Sequence, residues 1–204
     1  GAGDGSILFN HTATDYVFDA TVNGGANNAS GSNTGIVGAG LIRAISGRTI
    51  LNSDHEDFLG SIQISNAGIL QVNSNLSGAT ASTFPGGTLE GNGVVGSLNN
   101  AGTVSPGASI GILSVAGDYV GNNGNLQIEA VLGDDNSPAD KLVIAGDVSG
   151  STTVHVINLG GTGAQTVNGI PVIDVGGVSP ASSFTLAGDY VTPDGQQAVI
   201  AGAY

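Results

Sequence analysis

Apolar residues in this chain come in pairs, triplets and short alternating runs. Each run is cut within a few residues by Gly, Asn, Ser or Pro. Between Gly87 and Val120 the pattern is most regular: Thr88-Leu89, Val94-Val95, Thr103-Val104, Ile112-Leu113 and Ser114-Val115 stand between Gly-, Asn- and Pro-containing breaks. No run has helical spacing or the length of a helix, so the pattern predicts very short strands joined by tight turns. Upstream, strands are predicted at Ile7-Leu8-Phe9, Tyr16-Val17-Phe18, Ile36-Val37, 41–45, within 46–51, 61–64 and 69–72. A polar loop is predicted over 23–35 and a charged turn over 52–57. After an acidic loop at 133–139 the predicted strands lengthen (141–145, 152–159, 170–175). Thr192-Pro193-Asp194-Gly195 between two apolar runs predicts a hairpin within 184–201.

A loose repeat underlies the pattern. Asn66-Ala67-Gly68-Ile69 is echoed by Asn100-Ala101-Gly102-Thr103, and a step from Gly to an apolar residue recurs at Gly87-Thr88-Leu89 and Gly111-Ile112-Leu113. The intervals are irregular but suit coils of roughly 20 residues, each made of several short strands. A strand of three residues cannot hold itself together. Stacked on a similar neighbour it gains ladder hydrogen bonds, and each fully buried Val, Leu or Ile contributes roughly 1.5–3 kcal/mol. The prediction is an all-β solenoid. Residues 1–139 form its rungs and 140–204 a C-terminal region that caps its open end, in one continuous stack. The residues expected to point inward and organise the fold are Leu89, Val94, Val104, Ile110, Leu113 and Val115.

Composition narrows the partners. The 36 glycines come with only 6 prolines and no three-residue period, which excludes collagen, and an apolar fraction of 40% argues against disorder. Three cations, Arg43, Arg48 and Lys141, face 16 acidic residues, for a net charge of -13. Nucleic acid is excluded as a partner, since phosphate neutralisation needs clustered cations, and anionic lipid is disfavoured for the same reason. No apolar stretch approaches the ~18 residues of a membrane helix, so no membrane insertion is expected of these residues. Cysteine is absent, so no disulfide staples are needed and the chain can cross an oxidising compartment unbridged. Methionine is absent too, and the sequence reads as a processed or excised piece.

Candidate chemistry is sparse. His11, His55 and His155 are scattered, and His155 is expected to point outward or into a hydrogen bond. Asp54-His55-Glu56-Asp57 and the group Asp134, Asp135 and Asp140 lack EF-hand or zinc spacing and are expected to be solvated. Asp140-Lys141 is expected to form a local ion pair. There is no G-x-S-x-G elbow, and neither Ser105 nor Ser109 has a sequence-adjacent activating base. No catalytic, cofactor-binding or metal-binding residue is predicted.

The run from Gly87 to Tyr119 resembles the C-terminal part of pertactin-like bacterial autotransporter passenger domains. The resemblance rests on Gly87-Thr88-Leu89, Gly91 to Gly96, and Asn100 to Leu113 with Ser105-Pro106-Gly107 and Ser109-Ile110-Gly111, with Ala108 where Asn is common. Ser137 to Ile144 and Val154 to Asn158 are similar to further signatures of that group. Leu8 to Thr12 and Gly47 to Leu51 look like passenger rungs. The resemblance implies a right-handed parallel β-helix and a non-enzymatic role. It also implies an autochaperone region, expected at 140–204, that folds first and promotes vectorial folding and secretion of a surface adhesin or virulence factor. It places the chain at the bacterial cell surface or in the medium, after passage through the periplasm and outer membrane. Its implied partner is an outer-membrane barrel downstream of Tyr204, with an effector region upstream. Two alternatives stand beside it. One is a directly adhesive surface, rich in Asn, Thr and Ser, that binds a host-cell receptor, a glycan or a second copy. The other is a polysaccharide-active β-helix enzyme, for which three cations offer little basic chemistry.

Overall fold

The computed structural model describes residues 5–22, 40–188, 190–191 and 197–198. In chain order the strands are β1 (Ser6–Asn10), β2 (Tyr16–Phe18), β3 (Leu41–Leu51), β4 (Ser61–Val72), β5 (Asn75–Leu76) and β6 (Thr80–Thr83). They continue as β7 (Thr88–Gly91), β8 (Val94–Val95), β9 (Leu98–Asn100), β10 (Thr103–Pro106), β11 (Ile112–Val115) and β12 (Tyr119–Ala130). The last are β13 (Lys141–Ile144), β14 (Val148–Asn158), β15 (Ile173–Val175), β16 (Phe184–Leu186), β17 (Tyr190–Val191) and β18 (Gln197–Ala198). Among the described residues there is no helix. Among the described residues every strand pairing except β17–β18 is parallel, and each joins a strand to its equivalent in the next coil. The chain is a parallel β-helix. The predicted loop 23–35, the strand Ile36-Val37 and the turn residues 192–195 lie outside the described residues, but the antiparallel pairing of Tyr190 with Ala198 is present.

Each coil has three faces. In the central coils the chain runs along one face (Thr80–Thr83, Leu98–Asn100), turns a corner onto the second (Thr88–Gly91, Thr103–Pro106), and then onto the third (Val94–Val95, Ile112–Val115). Apolar side chains stack in columns inside. On the second face Leu70, Leu89, Val104, Leu126, Val154 and Leu186 lie directly over one another. On the third face Leu76, Val95, Val115, Ile144 and Val175 do the same. Column spacing is the interstrand distance of about 4.8 Å, so neighbouring branched side chains meet at van der Waals contact. Alternation along each strand sends the residues between them outward.

The long strands are not confined to the C-terminal region, as the sequence pattern predicts; β3, β4 and β12 are as long as β14. The reason is the corner between the first two faces. A single residue with left-handed backbone makes the bend without breaking the ladder: Asn66 (φ 58°) in β4, Asn123 (φ 58°) in β12, Gly47 (φ 76°) in β3 and Gly150 (φ 75°) in β14. Asn and Gly adopt that region at lowest cost. Two short predicted strands thereby become one bent strand, with Ile45 set against the unpaired Ser65 and Asn66 in β3–β4 and Asn123 unmatched in β12–β14.

Candidate functional site

Of the six residues expected inside, Leu89, Val104, Leu113 and Val115 are buried. Val94 and Ile110 are half-buried and do not enter the core. Val94 stands in the outward column of the third face, level with Asn75 and Ser114, and its neighbour Val95 fills the inward place. In a two-residue strand, alternation alone gives no phase, which is why the sequence pointed to the wrong valine of the pair. Ile110 lies in a bend before β11 begins.

The titratable residues also settle into structural roles. His155 is exposed and bonds Asn125 Oδ1 at 3.1 Å. His55, expected in a solvated turn, is instead fully buried, and its Nδ1 accepts the Val22 N–H at 2.9 Å. Burial lowers its pKa below 6.5, with Asp54 opposing. Asp140 is buried as well and forms no ion pair with Lys141 among the described residues. Its carboxylate accepts the N–H groups of Gly111 and Glu129, both at 2.8 Å, so it ties the end of one coil to the next. Burial raises its pKa, and those two bonds oppose the rise. Asp135 accepts the amides of Val167, Asn168 and Gly169; partial desolvation pushes its pKa up, but these bonds outweigh it and hold it below the usual range. Among the described residues no group of three His, Cys, Asp or Glu side chains is placed to hold a metal ion.

The feature that sequence reading missed is a buried polar ladder at the corner between the first two faces. Thr83 Oγ1 donates to Asn100 Oδ1 at 2.7 Å and accepts the Gly102 N–H at 3.1 Å. Asn100 Nδ2 donates to the Tyr119 hydroxyl at 2.9 Å and to Asn125 O at 3.0 Å. The Tyr119 hydroxyl and Thr152 Oγ1 lie 2.8 Å apart. All four side chains are buried, and they come from β6, β9, β12 and β14, strands of four successive coils. Burial raises the pKa of Tyr119, so its hydroxyl keeps its proton and its capacity to donate. The Tyr119 ring packs against Phe184 with centroids 5.5 Å apart, which carries the contact to the last coil. Two glycines make room: a Cβ on Gly121 would stand 2.5 Å from Thr152 Oγ1, and one on Gly124 2.5 Å from Asn100 Oδ1. Buried hydrogen-bonded networks rigidify and specify a core, and losing a member leaves costly unpaired groups.

Comparison with known proteins identifies the segment that holds Asn100, Tyr119 and Thr152 of this ladder. Residues 93–204 match the family described as Autochaperone Domain Type 1. The adhesin BmaC autotransporter of Brucella suis biovar 1 (strain 1330) is 43% identical over 169 residues, covering 82% of this chain and 5% of that protein. The uncharacterized protein YdeU of Escherichia coli (strain K12) is 54% identical over 86 residues, 39% of this chain and 18% of that protein. The autotransporter adhesin AIDA-I of Escherichia coli is 36% identical over 97 residues, 47% of this chain and 7% of that protein. The chain thus spans a small part of the length of these relatives. Autotransporter passengers are carried through the outer membrane to be surface-exposed or secreted, and that is the location of this segment. The chain belongs to the autotransporter family with a type 1 autochaperone domain, and it is a β-helical passenger region carrying that domain at residues 93–204.

Proposed function

We propose that residues 93–204 are the part of this chain that folds first and then serves as the template on which the preceding coils stack, without enzymatic activity. The observation that carries the reading is the ladder: from Asn100 through Tyr119 to Thr152, with Phe184 packed against it, it cross-links the coils of the matched region through buried side chains. Parallel β stacking has to close long loops before non-local contacts reward it, so unassisted nucleation is slow. A region that is internally cross-linked provides the edge on which each upstream coil adds one layer of hydrogen bonds and buried apolar columns. Folding free energy released outside the outer membrane then draws the chain outward.

The full-length protein's own C-terminal outer-membrane barrel is the partner this role requires. We further propose that the passenger as a whole is an adhesin, as BmaC and AIDA-I are named. A separate polypeptide of residues 93–204 is expected to refold after dilution from urea at the rate of the whole chain, monitored by circular dichroism, while residues 1–92 alone stay unfolded. Cooperative refolding of 1–92 alone, with 93–204 unfolded, would overturn the reading.

A further inference from the structure

The apolar columns of the second and third faces say little about which coil stacks on which. On the second face the inward residue is Leu, Leu, Val, Leu and Val in successive coils (Leu70, Leu89, Val104, Leu126, Val154), and on the third it is Leu, Val, Val and Ile (Leu76, Val95, Val115, Ile144). A coil that skipped its neighbour would bury much the same surface on these two faces. Such uniform columns fix the phase of each strand, inward against outward, but leave the order of the coils weakly specified.

The ladder is not uniform. Thr, Asn, Tyr and Thr at 83, 100, 119 and 152 stand in a fixed order, and three side-chain bonds closed to water join the four coils in that order. Placing Thr83 directly against Tyr119 would leave the amide of Asn100 buried without its partners. The spaces beside the ladder fit the same order, since Gly121 clears the approach to Thr152 and Gly124 the approach to Asn100. An out-of-order stack therefore loses these bonds while keeping its apolar burial, which is the condition under which buried polar groups select one arrangement among near-equals.

We propose that Thr83, Asn100, Tyr119 and Thr152 are positioning residues that fix the order in which coils stack while the autochaperone folds. The proposal rests on the autochaperone reading but is separable from it. The test uses the whole chain refolded from urea and then probed by hydrogen exchange with mass spectrometry. Tyr119→Phe and Thr152→Val are expected to refold into two populations, seen as two isotope envelopes in peptides between residues 93 and 158, one protected as in the native chain and one poorly protected. Thr152→Ser, which restores the hydroxyl, is expected to return to one envelope. A core variant, Leu126→Ala, is expected to give one envelope even where its urea midpoint falls as far as that of Tyr119→Phe, because a purely structural loss lowers stability without scrambling order. A single native envelope for both Tyr119→Phe and Thr152→Val would overturn the proposal, and so would two envelopes for Leu126→Ala. If protection in the unmodified chain starts outside 93–204, the autochaperone reading falls, yet these envelopes still decide whether the ladder sets order.

Discussion

His55 shows how one residue departs from what its neighbours imply. Flanked by Asp54, Glu56 and Asp57, it belongs to a segment that reads as a solvated turn. In the structure its ring turns inward and accepts the Val22 amide, an outcome that depends on a residue 33 positions away. Nothing local in the sequence announces that contact. The same holds for Asp140, whose carboxylate serves two amides, from Gly111 and Glu129, rather than the adjacent Lys141. His55 makes a pH prediction with a definite sign. Burial disfavours the imidazolium and holds the pKa below 6.5 against the opposing charge of Asp54, and a proton on Nδ1 would in addition abolish the bond to Val22. The unfolded chain binds more protons as pH falls through 6.5, so this contribution is complete above that value and is lost with acidification toward the folded pKa. Protection of the Val22 amide, corrected for intrinsic exchange, should fall between about pH 7.5 and about pH 5 in the natural chain and stay level in His55→Gln. Equal loss of protection in both would remove His55 from the account.

At the scale of the strand, the sequence was informative where alternation is long and silent where it is short. Gly87-Thr88-Leu89 and Thr103-Val104 carry their inward residue in phase with their stacked neighbours, and both are read correctly from pattern. Val94-Val95 offers two candidates for one inward place, and only the pairing with Asn75-Leu76 shows that Val95 takes it. The bent strands were legible as two halves, because a left-handed Asn at a corner looks in sequence like a turn. The ladder was not legible at all: Thr83, Asn100, Tyr119 and Thr152 are ordinary surface types, and their convergence depends on coil intervals that vary. Column phase has a direct consequence. Val104→Asp places an unpaired carboxylate in the core and should cost about 3–5 kcal/mol, the range for an uncompensated buried charge. Val94→Asp, in the outward column, should cost no more than about 1 kcal/mol. Urea midpoints of the two variants check this, and comparable losses would mean that the columns are assigned to the wrong faces.

Over the whole molecule, fold class and family setting were readable from the Gly- and Asn-punctuated pattern and its resemblance, since a solenoid writes its architecture into local repeats. What links distant coils was not, because each link joins residues from different turns of the stack. The ladder begins at Thr83, just before the matched region, and runs to Thr152 within it, so the autochaperone segment is bonded to the coil that precedes it as well as within itself. The stack of columns then continues upstream through Ile62 and Ile42, where separate side-chain bonds also join coils: His11 to Thr49, the Val22 amide to His55, and Arg48 to Glu90. The difference between the two parts is continuity: the buried ladder runs through four successive coils, and growth outward from it would give the molecule a direction. That direction can be measured in the intact chain by refolding it from urea and applying short pulses of hydrogen exchange at increasing delays. The account predicts that amides of Leu98, Tyr119, Leu126, Leu142 and Val154 gain protection first and those of Ile42, Ile62 and Leu70 afterwards. Protection of Ile42, Ile62 and Leu70 ahead of the others, or of all at once, would contradict it.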